Sequence, residues 1–195
     1  MKDIIIRVEE EKDYREVEQL VRKAFWNKFR EGAVEHFVLH NLRDDEDFIR
    51  ELDFVMEKDG RIIGQNVFVK AYIKLDNGEN LPVLTMGPIS IDPEFQRKGY
   101  GKMLLDYSLK KAEDLGYGAV LIVGNIKFYE KSGFNYARDF NIRYYGFENE
   151  ETPFFLACEL EKDYLKKVSG VYNTPESYSF DEQELLEFEK LFIGE

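Results

Sequence analysis

The stretch from Met86 to Lys102, MGPISIDPEFQRKGYGK, decides the fold. Leu84, Met86, Ile89 and Ile91 supply an apolar strand. Gly87-Pro88 interrupts it, and because proline has no N–H to give to a ladder, a bulge or an edge is expected there. Asp92-Pro93 ends the strand. Gln96-Arg97-Lys98-Gly99-Tyr100-Gly101-Lys102 then brings three cations and two glycines together, and Met103, Leu104, Leu105 and Leu109 continue at helical spacing. Strand, glycine turn and helix start make an anion cradle. Gly99 and Gly101 let the backbone come close to a ligand. The N–H groups and dipole of a first helical turn favour a phosphate by about 0.3–1 kcal/mol for a typical surface charge. Arg97, Lys98 and Lys102 add charge-assisted hydrogen bonds.

Upstream, Ile4 to Val8 reads as a strand. Asp13, with Glu16 three residues on, is placed to cap a helix on which Val17, Leu20, Val21, Ala24 and Phe25 recur. A second helix covers 35–42, followed by a charged loop from Arg43 to Asp47. Residues 54–74 form a hairpin turning at Asp59-Gly60, and Asp76-Asn77-Gly78 turns the chain into the central strand. Downstream, a helix over 101–115 stops at Gly116, and Ala119 to Val123 is the continuous apolar run of a buried parallel strand. Strand, helix and strand are therefore a right-handed βαβ unit. Gly124-Asn125 leads into a short helix, Ile126 to Ser132, closed by Gly133, with Asn125 as a good N-cap. Phe140 to Tyr145 and Phe154 to Leu160 read as a final antiparallel pair. A tail follows: Val171-Tyr172, a turn at Thr174-Pro175, and a helix from Asp181 to Phe192 with Glu184 placed for a capping box. The expected class is α/β with α+β character: a mixed, mostly antiparallel sheet of about six or seven strands, the βαβ unit at strands four and five, and helices on both faces. Residues 1–160 are read as the domain, and 161–195 as an extension packed on it or used at a dimer contact.

The 195 residues carry 27 Lys and Arg against 39 Asp and Glu, a net charge of −12. That opposes non-specific binding to nucleic acid, which rests on neutralising phosphates, and suits a cationic amine as substrate. The one cysteine, Cys158, allows no internal disulfide and fits a reducing compartment. Ile4-Ile5-Ile6 before Arg7 is too short for a signal-peptide core or a membrane span, so a cytoplasmic protein with no membrane partner is expected.

Two better-known phosphate loops fail here. A Walker loop needs Ser or Thr where Met103 stands, and a dinucleotide fingerprint needs a glycine where Leu104 stands. What remains, Q-R-K-G-Y-G after I-S-I-D-P, resembles motif A of the GNAT superfamily of acetyl-CoA-dependent N-acetyltransferases. Residues 119–134, ending F-Y-E-K-S-G-F, look like the same family's motif B. The resemblance covers roughly residues 4–160. It implies transfer of acetyl from acetyl-CoA to a primary amine, in a small molecule or a peptide, with no metal. Ile89, Ser90 and Ile91 would then offer backbone groups to the pantetheine arm and thioester. The run Gln96, Arg97, Lys98, Gly99, Tyr100, Gly101 and Lys102 would hold the pyrophosphate. Gly87-Pro88 would be the bulge that splays the fourth and fifth strands. Tyr129 would be the general acid on the leaving thiolate. Asn125 would touch the coenzyme or only cap its helix.

No spacing selects a general base among Glu35, Glu57 and Glu79. His36 and His40 stand four apart, as two zinc ligands would, but H-E-x-x-H is absent and no cysteine cluster completes a site. They, with Trp26, Phe29 and Phe37, either line an acceptor wall or pack in the core. Cys158 reads as a small core hydrophobe. The rival to the enzyme is an acyl-CoA-binding regulatory module without turnover.

Overall fold

The computed structural model describes residues 4–192. Its elements run β1 (Ile4–Val8), α1 (Tyr14–Phe25), α2 (Glu35–Leu42), β2 (Phe54–Lys58), β3 (Arg61–Leu75), β4 (Asn80–Ile91), α3 (Tyr100–Asp114), β5 (Ala119–Val123), α4 (Ile126–Tyr129), β6 (Asn135–Tyr136), β7 (Ile142–Tyr144), β8 (Phe155–Glu159), β9 (Gly170–Tyr172) and α5 (Glu182–Glu189). The hydrogen-bonded order is β1-β2-β3-β4-β5-β8-β6, with β9 beside β3 and β7 beside β9. The β4–β5 and β7–β9 pairs are parallel, while β1–β2, β2–β3, β3–β9, β5–β8 and β6–β8 are antiparallel. The sheet is thus mixed and mostly antiparallel, and β4, α3 and β5 form the βαβ unit. It gains strands over the expected number because β6, β7 and β9 have only two or three residues each.

One pairing departs from the reading of the sequence. The segments 140–145 and 154–160 do not pair with each other. β8 lies between β5 and β6, and β7 runs parallel to β9. The physical reason is burial. Phe155 to Cys158 are all buried, so this backbone must find ladder partners on both sides.

Residues cluster into two compact units: Met1–Val67, Pro88–Leu104 and Pro175–Glu195 in the first, Phe68–Gly87 and Leu105–Thr174 in the second. The expected extension is divided between them at Pro175.

In the first unit, Val17, Val21, Leu39, Leu42, Leu52, Met56 and Ile63 have no exposed surface. Each such side chain contributes about 1.5–3 kcal/mol by leaving water. Asp13 does not bond the first turn of α1. Its carboxylate takes the Glu10 N–H at 2.9 Å and pairs with Arg7, closing a preceding short turn. Arg43, read as part of a charged loop, is buried. It holds Glu9 at 2.9 Å and Glu18 at 2.7 Å, and its guanidinium lies 4.0 Å over the Tyr14 ring. Asp181 caps α5 by accepting from Gln183 and Glu184 N–H. Leu185, Phe188 and Phe192 then pack on Phe37.

The second unit has its own core of Ile73, Val83, Leu121, Ala137, Ile142, Phe155 and Tyr172. Phe155 and Tyr172 stack at 5.1 Å.

Candidate active site

In the first unit, the end of β4, the turn after it and the start of α3 form one continuous cradle. Ser90 and Ile91 are buried, and the Ser90 Oγ has no hydrogen-bond partner. β3 passes tightly behind them. A Cβ added at Gly64 would stand 2.6 Å from Ile91 Cδ1 and 3.2 Å from the Ser90 carbonyl oxygen, so a side chain there would push β4 away.

The corner after β4 is clamped by Asp92. Its N–H donates to the Ile63 carbonyl at 2.9 Å. Its carboxylate accepts from Glu94 N–H at 2.9 Å, Arg61 at 2.6 Å and Lys23 at 3.4 Å. Burial opposes ionisation of Asp92, but the Glu94 N–H, Lys23 and Arg61 outweigh it and hold the carboxyl below its ordinary range. Two of the expected site residues brace this corner with their side chains. Gln96 donates to the Ile91 carbonyl at 2.8 Å, and Lys98 donates to the Glu94 carbonyl at 2.8 Å.

The turn then takes two left-handed residues, Arg97 at φ +59° and Gly99 at φ +90°. Left-handed backbone costs a residue with a Cβ roughly 1–2 kcal/mol, so the surrounding turn over-determines Arg97. The Arg97 guanidinium is exposed and has no hydrogen-bond or ion-pair partner among the described residues. Met103 N–H bonds the Gly99 carbonyl at 3.1 Å, which puts Tyr100, Gly101 and Lys102 in the first helical turn, whose N–H groups have no acceptor within the helix. A Cβ at Gly99 would meet nothing within 4 Å, so the backbone there is open to a ligand. Tyr100 packs its ring 6.2 Å from Phe95. Chemically, such an arrangement is suited to a phosphate-bearing anion.

In the second unit, the parallel ladder of β4 and β5 holds only Leu84↔Val120 and Thr85↔Leu121. β5 goes on pairing with β8 as far as Val123↔Phe155. Thr85 closes the ladder by donating to the Leu121 carbonyl at 3.0 Å, with the Tyr172 hydroxyl 2.6 Å away. Gly87-Pro88 follows directly. β4 also takes one residue more than β3 to cover the span between the bonds Leu75–Glu79 and Ile63–Asp92, the mark of a bulge in β4.

Tyr129 ends α4. Its ring meets Phe128 and Phe134 edge-on at 4.8 and 5.3 Å. Its ring packs against Gly124, where an added Cβ would stand 2.5 Å from Tyr129 Cε2. Burial pushes the phenol well above its usual range, so it is a protonated donor throughout neutral pH. Asn125 caps α4, accepting Lys127 N–H at 3.1 Å.

The other candidates have structural partners. Glu57 accepts from Arg7 at 2.8 Å, Glu79 from Asn77 at 2.8 Å, and Glu35 from Val34 N–H at 3.1 Å. His36 is fully buried, 5.1 Å from the Phe192 ring and 3.0 Å from Glu189. His40 bonds Glu18 at 2.9 Å and lies 4.6 Å from Phe188. Phe37 packs with α5, whereas Trp26 and Phe29 are exposed. Cys158 is buried. Among the described residues no group of three or more His, Cys, Asp or Glu is placed to hold a metal ion.

Gly64 and Asp92 shape the turn after β4 in the first unit, and Gly124 sets the Tyr129 ring in the second; the sequence reading passed over all three roles. Gly64 carried a signal, a glycine inside a strand. Asp92 and Gly124 read as ordinary turn residues.

The family model for the acetyltransferase (GNAT) family matches residues 14–134. The uncharacterized N-acetyltransferase YhbS of Escherichia coli K12 is 27% identical over 178 residues, covering 90% of this chain and 99% of that protein. The crystal structure of Escherichia coli YhbS in complex with CoA superposes with a TM-score of 0.79 at 26% identity, over 92% of this chain and 94% of that one. A GNAT family acetyltransferase from Brucella melitensis in complex with acetyl-CoA shares the fold, with a TM-score of 0.71 at 20% identity, over 92% of this chain and 100% of that one. Since the family model spans more than half of its 195 residues, the chain belongs to the GNAT family of acetyltransferases.

Proposed function

We propose that this enzyme moves an acetyl group from acetyl-CoA to a primary amine by direct attack in a ternary complex, with no covalent intermediate on the protein. The observation that carries the reading is the cradle: two left-handed residues, a helix start and an unpaired Arg97 at the end of the strand that leaves its parallel partner at Thr85. The CoA named in the complex of Escherichia coli YhbS supports the choice of anion.

Bound acetyl-CoA supplies a thioester carbonyl to attack and a thiolate to expel. The first-turn N–H groups of Tyr100 to Lys102, with Arg97, hold the pyrophosphate. The backbone of Ile89, Ser90 and Ile91 lies along the pantetheine arm. Gln96 and Lys98 keep the loop in shape through the carbonyls they bond. Tyr129 is the general acid at the departing sulfur: its phenol, held protonated by burial, donates to the thiolate as the C–S bond breaks, and the proton released by the attacking amine balances the one the sulfur takes up. Asn125 keeps α4, and so Tyr129, at the end of β5.

Direct attack also fits Cys158. Its thiol, pushed up to about 11 by burial and then by Glu159, stays protonated and is a poor nucleophile. An α-amine near pKa 8 loses its proton at pH 7 for about 1.4 kcal/mol, a lysine-type amine for roughly 4.6. Acceptors of the first kind therefore need less help from a base.

Among the described residues no helix is long and apolar enough to cross a membrane. A net charge of −12 disfavours nucleic acid as a partner.

The test is to incubate the full chain with acetyl-CoA and a panel of amino acids, diamines, aminoglycosides and short peptides, following thiol release and the product mass. An amine that gains one acetyl group with matching thiol release is expected. Coenzyme binding without product from any amine would favour the rival, a regulatory acyl-CoA-binding module.

A further inference from the structure

The second unit contains a cavity of about 400 Å³ whose lining includes Arg138, Arg143, Phe147, Glu148, Glu150 and Thr152. Its size lies within the range of small-molecule sites. The loop that forms one wall is fixed by its own backbone. Phe147 N–H bonds the Tyr144 carbonyl at 3.0 Å, Glu150 N–H bonds the Phe147 carbonyl at 3.0 Å, and Phe155 N–H bonds the Thr152 carbonyl at 3.0 Å.

Both signs of charge line this cavity with capacity to spare. Arg138 pairs with Glu151 at 2.9 Å, but both side chains are at least half exposed, so the pair is weak and exchangeable. Arg143 gives one N–H to Asp76, whose other oxygen accepts from Ser169 at 2.5 Å. A guanidinium has five donors, so most of the fork is left for another acceptor. Glu148 and Glu150 have no ion-pair partner among the described residues. Thr152 adds a neutral polar group to the lining. Thr152 is only 4% exposed, lines the cavity, and its hydroxyl makes no hydrogen bond among the described residues.

The charge pattern selects the ligand. A simple anion would meet the carboxylates of Glu148 and Glu150. A simple cation would meet two guanidinium groups. A molecule carrying both signs a few bonds apart satisfies each. We infer that this cavity binds a small zwitterion of the amino-acid type. Its carboxylate lies toward Arg138 and Arg143, its ammonium toward Glu148 and Glu150 beside the Phe147 ring, and Thr152 takes up a polar group at the floor. The inference does not depend on the coenzyme reading.

The experiment is calorimetry and thermal shift on the full chain with each of the common amino acids and with glycyl dipeptides. Propionate and ethylamine serve as analogues that keep one charge. The expected result is that at least one zwitterion binds and neither analogue does. Arg138→Gln and Glu148→Gln/Glu150→Gln should each weaken its Kd by about tenfold or more, the loss of one charge-assisted bond. Both changes lie on exposed side chains, so the melting temperature without ligand should stay put. The response to acetyl-CoA, measured alongside, should match wild type. That control separates a failure here from a failure of the coenzyme site. No binding by any amino acid or dipeptide, equal binding of a singly charged analogue, or unchanged Kd in the variants would each overturn the inference.

Discussion

Tyr129 rests its ring on the backbone of Gly124, and that contact sets where the phenol can point. Replacing Tyr129 by Phe keeps the ring and removes only the proton donor. The expected outcome is a kcat about 10²-fold lower, with acetyl-CoA binding intact. An unchanged kcat would remove Tyr129 from the mechanism. Gly124→Ala should lower kcat with the hydroxyl still present, because the new methyl carbon would stand 2.5 Å from the ring. At this scale the sequence was legible where chemistry follows residue type. It showed the Asn125 cap and the turn at Gly99, and it offered Tyr129 as a candidate acid. It could not mark Gly124 or Gly64, whose importance is the distance to atoms brought close only by folding. It also could not tell that Gln96 and Lys98 bond carbonyls, since a ligand contact and a brace use the same side chains.

The element that matters most is the strand-turn-helix from β4 to α3. The bonds of Asp92 at its corner and the left-handed turn at Arg97 and Gly99 preorganise it for an anion. Gly101→Glu puts bulk and negative charge into the first turn of α3. Acetyl-CoA binding should be lost in that variant while its melting temperature without ligand stays within a few degrees of wild type, and a wild-type Kd would refute the cradle. The βαβ unit and the hairpin could be read from hydrophobic period and turn chemistry because both are local signals. The partner of β7 could not. β9 has three residues, and its pairing is decided by long-range packing of Tyr172 on Phe155. The buried Arg43 was hidden for a similar reason. Its two carboxylates come from Glu9 and Glu18, far back in the chain, and next to other charges it looks like loop.

At the scale of the molecule, the end of the tail packs within the first unit. Its last helix, α5, closes over α2 in the first unit and buries His36 against Phe188 and Phe192. Burial, partly offset by Glu189, depresses the His36 pKa to about 4 from an ordinary 6.5. The folded state therefore holds His36 neutral, while the unfolded chain takes up a proton below pH 6.5. Stability should be lost as the pH falls from 6.5 toward 4, by roughly 2 kcal/mol at pH 5. Melting curves at pH 7 and pH 5 should show a smaller drop in His36→Gln than in wild type, and equal drops would contradict this account of α5. The most direct test of the coenzyme cradle is a thermal shift with acetyl-CoA, free CoA and ATP as control. At about 100-fold over Kd a ligand adds roughly 2.7 kcal/mol, which for a chain of this size is about 5–11 °C. A rise of that order with acetyl-CoA and CoA, absent with ATP, is the predicted result. No rise at millimolar acetyl-CoA would mean that the turn at Arg97 and Gly99 only starts a helix, and the proposed transfer would fall with it.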